Sequence, residues 1–91
     1  MNVFRLEILT IERQLFDEEV SMAVVPTEDG VVGVMPNHQP MLAVLAEGNV
    51  IVRREGRKDY SVAIRGGVLQ VLPDQVVVLA DQVADSNETN L

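Results

Sequence analysis

The sequence predicts an all-β fold, an antiparallel sandwich or flattened barrel, from three observations. Seventeen of the 91 residues are valine, whose branched side chain is stiff at χ1 and suits a pleated surface better than a helix. Apolar residues recur at every second position in several runs, the period of a half-buried strand. Turn-forming residues interrupt those runs at intervals of about 8–12 residues, with no helical pattern between them.

In the first strand Phe4, Leu6 and Ile8 point inward and alternate with Arg5, Glu7 and Leu9. A short segment from Gln14 to Phe16 meets the acidic triplet Asp17-Glu18-Glu19. Adjacent residues of an extended chain point to opposite faces, so this triplet reads as a solvated edge that discourages strand addition rather than as paired acid/base carboxylates. Val20 to Val25 forms the next strand, and Pro26 is expected to stop it because proline donates nothing to a ladder. Asp29-Gly30 marks a tight turn, and Val31 to Met35 returns from it. Pro36-Asn37-His38-Gln39-Pro40 is an ordered loop, since two prolines fix φ and restrict the residues before them. Met41 to Leu45 follows, then a break at Glu47-Gly48-Asn49. Val50 to Arg54 and Asp59 to Ile64 flank Glu55-Gly56-Arg57-Lys58 as a hairpin. Gly66-Gly67 reads as a bulge or corner before Val68 to Leu72. Pro73-Asp74-Gln75 turns the chain into Val76 to Asp81, the last strong strand. The domain is therefore expected to span residues 1–83, with 84–91 a polar, frayed tail too poor in apolar surface to offset its ordering entropy.

Charge and composition exclude several function classes. Fourteen acidic against seven basic side chains leave a net charge of −7, which disfavours nucleic acid and anionic lipid as primary partners. The absence of cysteine removes disulfides and thiolate metal sites. Nothing at the N-terminus resembles a secretory signal, and no apolar run approaches the ~20 residues of a membrane-spanning helix. A cytoplasmic location is the simplest expectation.

Reactive groups are scarce. One histidine, one tyrosine and serines only at positions 21, 61 and 86 provide no glycine-flanked nucleophile turn. His38 lacks companion nitrogen or sulfur ligands for zinc, and the carboxylates lack the spacing of a calcium loop. No catalytic residue, cofactor or metal is expected. Arg53-Arg54 with Arg57-Lys58 reads as an exposed hairpin tip rather than a phosphate site, since no glycine-rich turn opens a helix there and no aromatic is placed to stack a base. The rigid, partly apolar loop around His38 is the best docking element, because a stiff loop loses little entropy on binding.

Taken in order, Phe4-Arg5-Leu6-Glu7-Ile8-Leu9-Thr10, Val24-Val25-Pro26, the glycine, proline and histidine framework from Gly30 to Leu42, Gly66-Gly67 and the closing Val78-Leu79-Ala80-Asp81 resemble the N-terminal β-sandwich of the ATP synthase epsilon subunit family. The likeness covers about residues 3–83. It implies a two-sheet, roughly ten-stranded sandwich without catalytic activity of its own, in the rotor's central stalk on the cytoplasmic side of the membrane. The implied partners are the gamma subunit of F1 and the c ring of Fo. Carried over by position, Thr10, His38, Gln39, Met41, Leu42 and Ala43 would contact gamma. Glu28, Asp29, Gly30 and Val31 would face the c ring. Some members carry an acidic residue at the position of Val31, so the charged contact is expected to shift to Glu28 or Asp29. The C-terminal helical hairpin of the family is not in this sequence, so neither its inhibition of hydrolysis nor its nucleotide sensing is expected. The alternative function class is a stand-alone β-sandwich module that binds a protein or a ligand. A concave, ligand-sized apolar surface would favour the alternative, and a convex, protein-sized one the rotor.

Overall fold

The computed structural model describes residues 2–89. Eight strands run in the order β1 (Phe4–Leu9), β2 (Gln14–Val20), β3 (Met22–Thr27), β4 (Gly30–Val34), β5 (Met41–Val44), β6 (Gly48–Arg53), β7 (Asp59–Val71) and β8 (Gln75–Thr89). They connect as β2-β1-β8-β7-β6-β3-β4, with β5 paired to β7.

Both layers of the sandwich come from this single path because β7 serves each of them. Its first half, Tyr60 to Ile64, pairs with β6, and its second half, Val68 to Val71, pairs with β5. Two segments expected as separate strands are thus one strand turned at Gly66-Gly67. β8 follows it, pairing with β7 on both sides of the turn. One layer is β2-β1-β8-β7-β5 and the other β8-β7-β6-β3-β4. The eight strands are fewer than the roughly ten that the resemblance implied, because β7 and β8 are long and each serves both layers.

The corner requires glycine. Gly66 and Gly67 have φ of +71° and +121°, conformations that side chains with a Cβ rarely adopt. A Cβ on Gly67 would collide with the Leu79 carbonyl oxygen and lie 2.9 Å from the Ala80 Cα. The Gly67 carbonyl accepts the Leu45 amide at 2.9 Å, which ties the crossing from β5 to β6 to the same point.

The structure corrects several expectations. β1 pairs with β8 in parallel, from Arg5 opposite Gln75 to Leu9 opposite Leu79, so the sheet is not wholly antiparallel. The strand expected across Val20 to Val25 breaks at Ser21, where the chain changes layers. Pro26 lies inside β3 opposite Val31. Its carbonyl accepts the Ala46 amide at 3.1 Å on the side away from β4, so the donor that proline lacks is not needed by the β4 ladder. β8 also runs on to Thr89, with Asp59 opposite Thr89 and Val62 opposite Ser86. Hairpin pairing with β7 satisfies this backbone although the sequence is polar, and the frayed tail expected from residue 84 is replaced by paired strand as far as 89. The remaining tail residues, 90 and 91, lie outside the described residues.

The core is built from the inward rows that alternation predicts. Phe4, Leu6 and Ile8 of β1 meet Val50, Val52 and Val62 of the opposite layer, and all are buried. Arg54 is the exception to the reading of its segment, being only 7% exposed. Its guanidinium lies over the Phe16 ring at 5.9 Å, donates to the Lys58 carbonyl at 2.8 Å and pairs with Glu18 at 3.3 Å. Glu18 shares the inward phase of Phe16 and Val20 on β2 and also receives Arg57 at 2.9 Å. The acidic edge and the basic hairpin therefore clasp the two layers together over the Phe16–Tyr60 ring pair.

Replacement of Gly67 by alanine should lower stability by about 3 kcal/mol or more, from the positive φ and the backbone overlap together. Gly30→Ala, where φ is +120° but nothing lies within 4 Å of the added Cβ, should lose only about 1–2 kcal/mol. Urea denaturation of the two variants checks the order.

Candidate docking surface

Strand alternation sorts β5 into two faces. Met41 and Ala43 point inward and pack against the core, whereas Leu42 and Val44 are 73% and 53% exposed. Of the apolar residues that the resemblance assigns to gamma, only Leu42 therefore presents its side chain fully outward.

Register extends the outward face across the layer. Val44 is opposite Val68, Val68 opposite Leu79, and Leu79 opposite Leu9. These four residues form one apolar row over β5, β7, β8 and β1, about 14 Å across at the usual strand spacing. The next row runs Leu42, Gln70, Val77, Glu7 and Asp17. Beyond it the face becomes charged. Arg5 pairs with Asp17 at 2.8 Å, and that hydrogen bond together with the Asp17 charge raises the Arg5 pKa above its ordinary value. Glu7 accepts the side-chain amides of Gln14 at 2.7 Å and Gln75 at 2.8 Å. One face thus has an apolar end and a polar end where Arg5, Glu7 and Asp17 each engage a neighbouring side chain.

The other predicted contacts frame this face. Thr10 follows Leu9 at one end of the apolar row. His38 and Gln39 precede β5 at the diagonally opposite corner, in a loop where Asn37 has φ of +64° and His38 Nδ1 lies 2.8 Å from the Gln39 carbonyl. A single partner can touch both Thr10 and His38 only by covering the whole face. The turn Glu28-Asp29 lies beside the end of β5, where the Glu28 amide donates to the Val44 carbonyl at 2.9 Å. Thr27 shapes that turn, donating from its hydroxyl to the Gly30 carbonyl at 2.6 Å and accepting the Asp29 amide at 3.2 Å. Glu28, Asp29, Gly30 and Val31 are all exposed there.

A family model described as ATP synthase, Delta/Epsilon chain, beta-sandwich domain matches residues 3–86. The chain belongs to this delta/epsilon family. It is similar to the ATP synthase epsilon chain of Dehalococcoides mccartyi, with 37% identity over 91 residues covering all of this chain and 64% of the relative. The epsilon chain of Chloroflexus aggregans is 40% identical over 83 residues, which cover 91% of this chain and 59% of the relative. The chain thus spans about three fifths of the length of these curated relatives. Among solved structures, a chain of the Euglena gracilis mitochondrial ATP synthase, in an OSCP/F1/c-ring structure, superposes with a TM-score of 0.84 at 24% identity, covering 92% of this chain and 54% of that one. A chain of the Tetrahymena thermophila mitochondrial ATP synthase central stalk and c ring gives 0.69 at 15% identity, with 93% and 66% covered. Both share the fold.

Sequence reasoning missed Leu9, Val44, Val68 and Leu79 on the outer face of this delta/epsilon sandwich. A signal was present for Val44 and Leu79. Met41 to Leu45 and Val76 to Ala80 are apolar at every position, and a strand with only one buried face has no need of that. The described residues of the family domain also hold a depression of about 370 Å³ bordered by Glu47, Asn49, Ala63, Arg65, Gln82 and Val83. Its Arg65–Glu47 pair, at 3.3 Å, has both side chains more than 60% exposed, a solvated rim rather than convergent groups in an apolar pocket. Among the described residues no group of histidines and carboxylates is gathered that could hold a metal ion.

Leu42→Asp and Val44→Asp should each change stability by no more than about 0.5 kcal/mol, as for other surface positions. Met41→Asp should lose about 2 kcal/mol or more, because it places a carboxylate against the core. Thermal denaturation of the three variants measures the division of β5 into two faces.

Proposed function

We propose that this sandwich is the non-catalytic central-stalk element of an F-type ATP synthase, linking the gamma subunit to the c ring and so coupling ion translocation to ATP synthesis or hydrolysis. The observation that carries the reading is the apolar row Val44, Val68, Leu79 and Leu9, continuous over four strands on one outer sheet face, with Val44, Val68 and Leu79 exposed. Contiguous apolar surface of this kind on the outside of a sheet marks a protein partner. The stand-alone module keeps no comparable support, since the depression by Arg65 is rimmed by solvated charge. Membership of the delta/epsilon family and likeness to chains of stalk and c-ring structures support the same assignment.

Gamma covers the outer face of the β2-β1-β8-β7-β5 layer, from Thr10 to the His38 loop, with Leu42 inside the contact and Gln39 at its border. Met41 and Ala43 act from beneath, holding Leu42 and Val44 outward. The acidic turn Glu28-Asp29-Gly30, at the corner next to Val44, meets the polar loops of the c ring. Val31 adds apolar contact there, and the charged contact falls to Glu28 or Asp29. The complex sits peripherally on the cytoplasmic side of the membrane. Close-packed sheets resist deformation, which suits a part that carries torque.

Native mass measurement of the untagged chain, co-purified with a tagged gamma subunit from the same source, should give a one-to-one complex. Val68→Asp together with Leu79→Asp should raise the Kd at least about 30-fold, the loss expected of central apolar contacts. Failure of the folded chain to associate with gamma would contradict the proposal.

A further inference from the structure

We propose that Ile11 is the anchor of the docking face, an apolar side chain presented ready-made to a socket on the gamma subunit. The inference rests on the reading that gamma binds this face. Ile11 is 96% exposed, the most exposed large apolar side chain among the described residues. It lies two residues beyond Leu9 in the turn between β1 and β2, at the Leu9 end of the row Val44, Val68, Leu79 and Leu9.

The turn that carries it is held rigid. The Thr10 amide donates to the Arg13 carbonyl at 2.9 Å. The Thr10 hydroxyl oxygen accepts the amides of Glu12 at 3.2 Å and Arg13 at 3.3 Å. Three bonds from one residue thus fix the backbone on both sides of Ile11, and an interface side chain on a pre-organised turn surrenders less entropy when it is buried. Nothing among the described residues buries Ile11 instead. Between the turn and β8 lies a depression of about 360 Å³ lined by Thr10, Glu12, Arg13, Asp81, Gln82 and Val83, and these mostly polar walls give the isoleucine no apolar seat.

The flanking charges define the socket. Glu12 and Arg13 are both exposed, and neither forms an ion pair among the described residues. The complementary surface on gamma is an apolar hollow for one isoleucine, rimmed by a basic group towards Glu12 and an acidic group towards Arg13. Such a centre with a polar ring that excludes water is the usual form of a binding hot spot.

The test compares gamma binding by the native chain, Ile11→Ala, Ile11→Leu, Thr10→Val and Val68→Asp using surface plasmon resonance, with urea denaturation of each as the folding control. Ile11→Ala should weaken binding about 10- to 50-fold, mainly through faster dissociation, with an unchanged denaturation midpoint. Ile11→Leu should retain most of the affinity. Thr10→Val, which keeps the shape but loses the hydroxyl acceptor, should weaken binding several-fold with Ile11 in place. If the native chain binds and Val68→Asp does not, yet Ile11→Ala binds like the native chain, the anchor is overturned while the docking face stands. If the native chain itself does not bind gamma, the docking face fails and the anchor falls with it.

Discussion

The whole arrangement depends on a close approach of two backbones at Gly67. Only a residue without a Cβ allows β7 to turn between layers there while the Leu79 carbonyl lies against it. Because β7 turns, β6 attaches to its first half and β5 to its second, and one continuous path makes both sheets. Because β8 turns with it, β1 lies parallel along β8 and places Leu9 opposite Leu79. The apolar row is therefore a consequence of the corner. It begins on β7 with Val68, the residue after Gly67, and depends on the register that the corner sets.

Charge is distributed so that this row stays clean. Glu18, Arg54 and Arg57 gather where the layers meet over Phe16 and Tyr60, and Arg5 with Asp17 occupies the far end of the docking face. Glu7 is engaged by two glutamine amides. A net charge of −7 would repel many partners if it were spread over every face. Here the carboxylates, among them the β2 triplet and the Glu28-Asp29 turn, lie outside the row from Val44 to Leu9, which carries no formal charge.

Most of the fold was legible in the sequence because period-two alternation and turn residues are local signals. Phe4, Leu6 and Ile8, the Asp29-Gly30 turn and the Gly66-Gly67 corner all followed from them. What was not legible depends on contacts distant in the chain. The parallel β1–β8 pair joins residues about seventy positions apart, and no local pattern encodes its direction. Arg54 reads as surface until Glu18, 36 residues away, is brought beside it. Pro26 reads as a strand stop because its sequence does not reveal which side of the ladder its missing donor faces. The docking face was half legible. The His38 loop was legible from its two prolines and Leu42 from resemblance, whereas Val44 and Leu79 of the outward row were hidden in runs that are apolar at every position and look like ordinary core.

The central claim is that gamma covers the outer face of the β2-β1-β8-β7-β5 layer. Methyl NMR of the chain labelled at isoleucine, leucine and valine, titrated with unlabelled gamma, tests it residue by residue. The account predicts large shifts or broadening at Leu9, Ile11, Leu42, Val44, Val68 and Leu79, with Val24 and Ile51 on the opposite outer face unchanged. Perturbation confined to Val24, Val31 and Ile51, with the row unaffected, would contradict it.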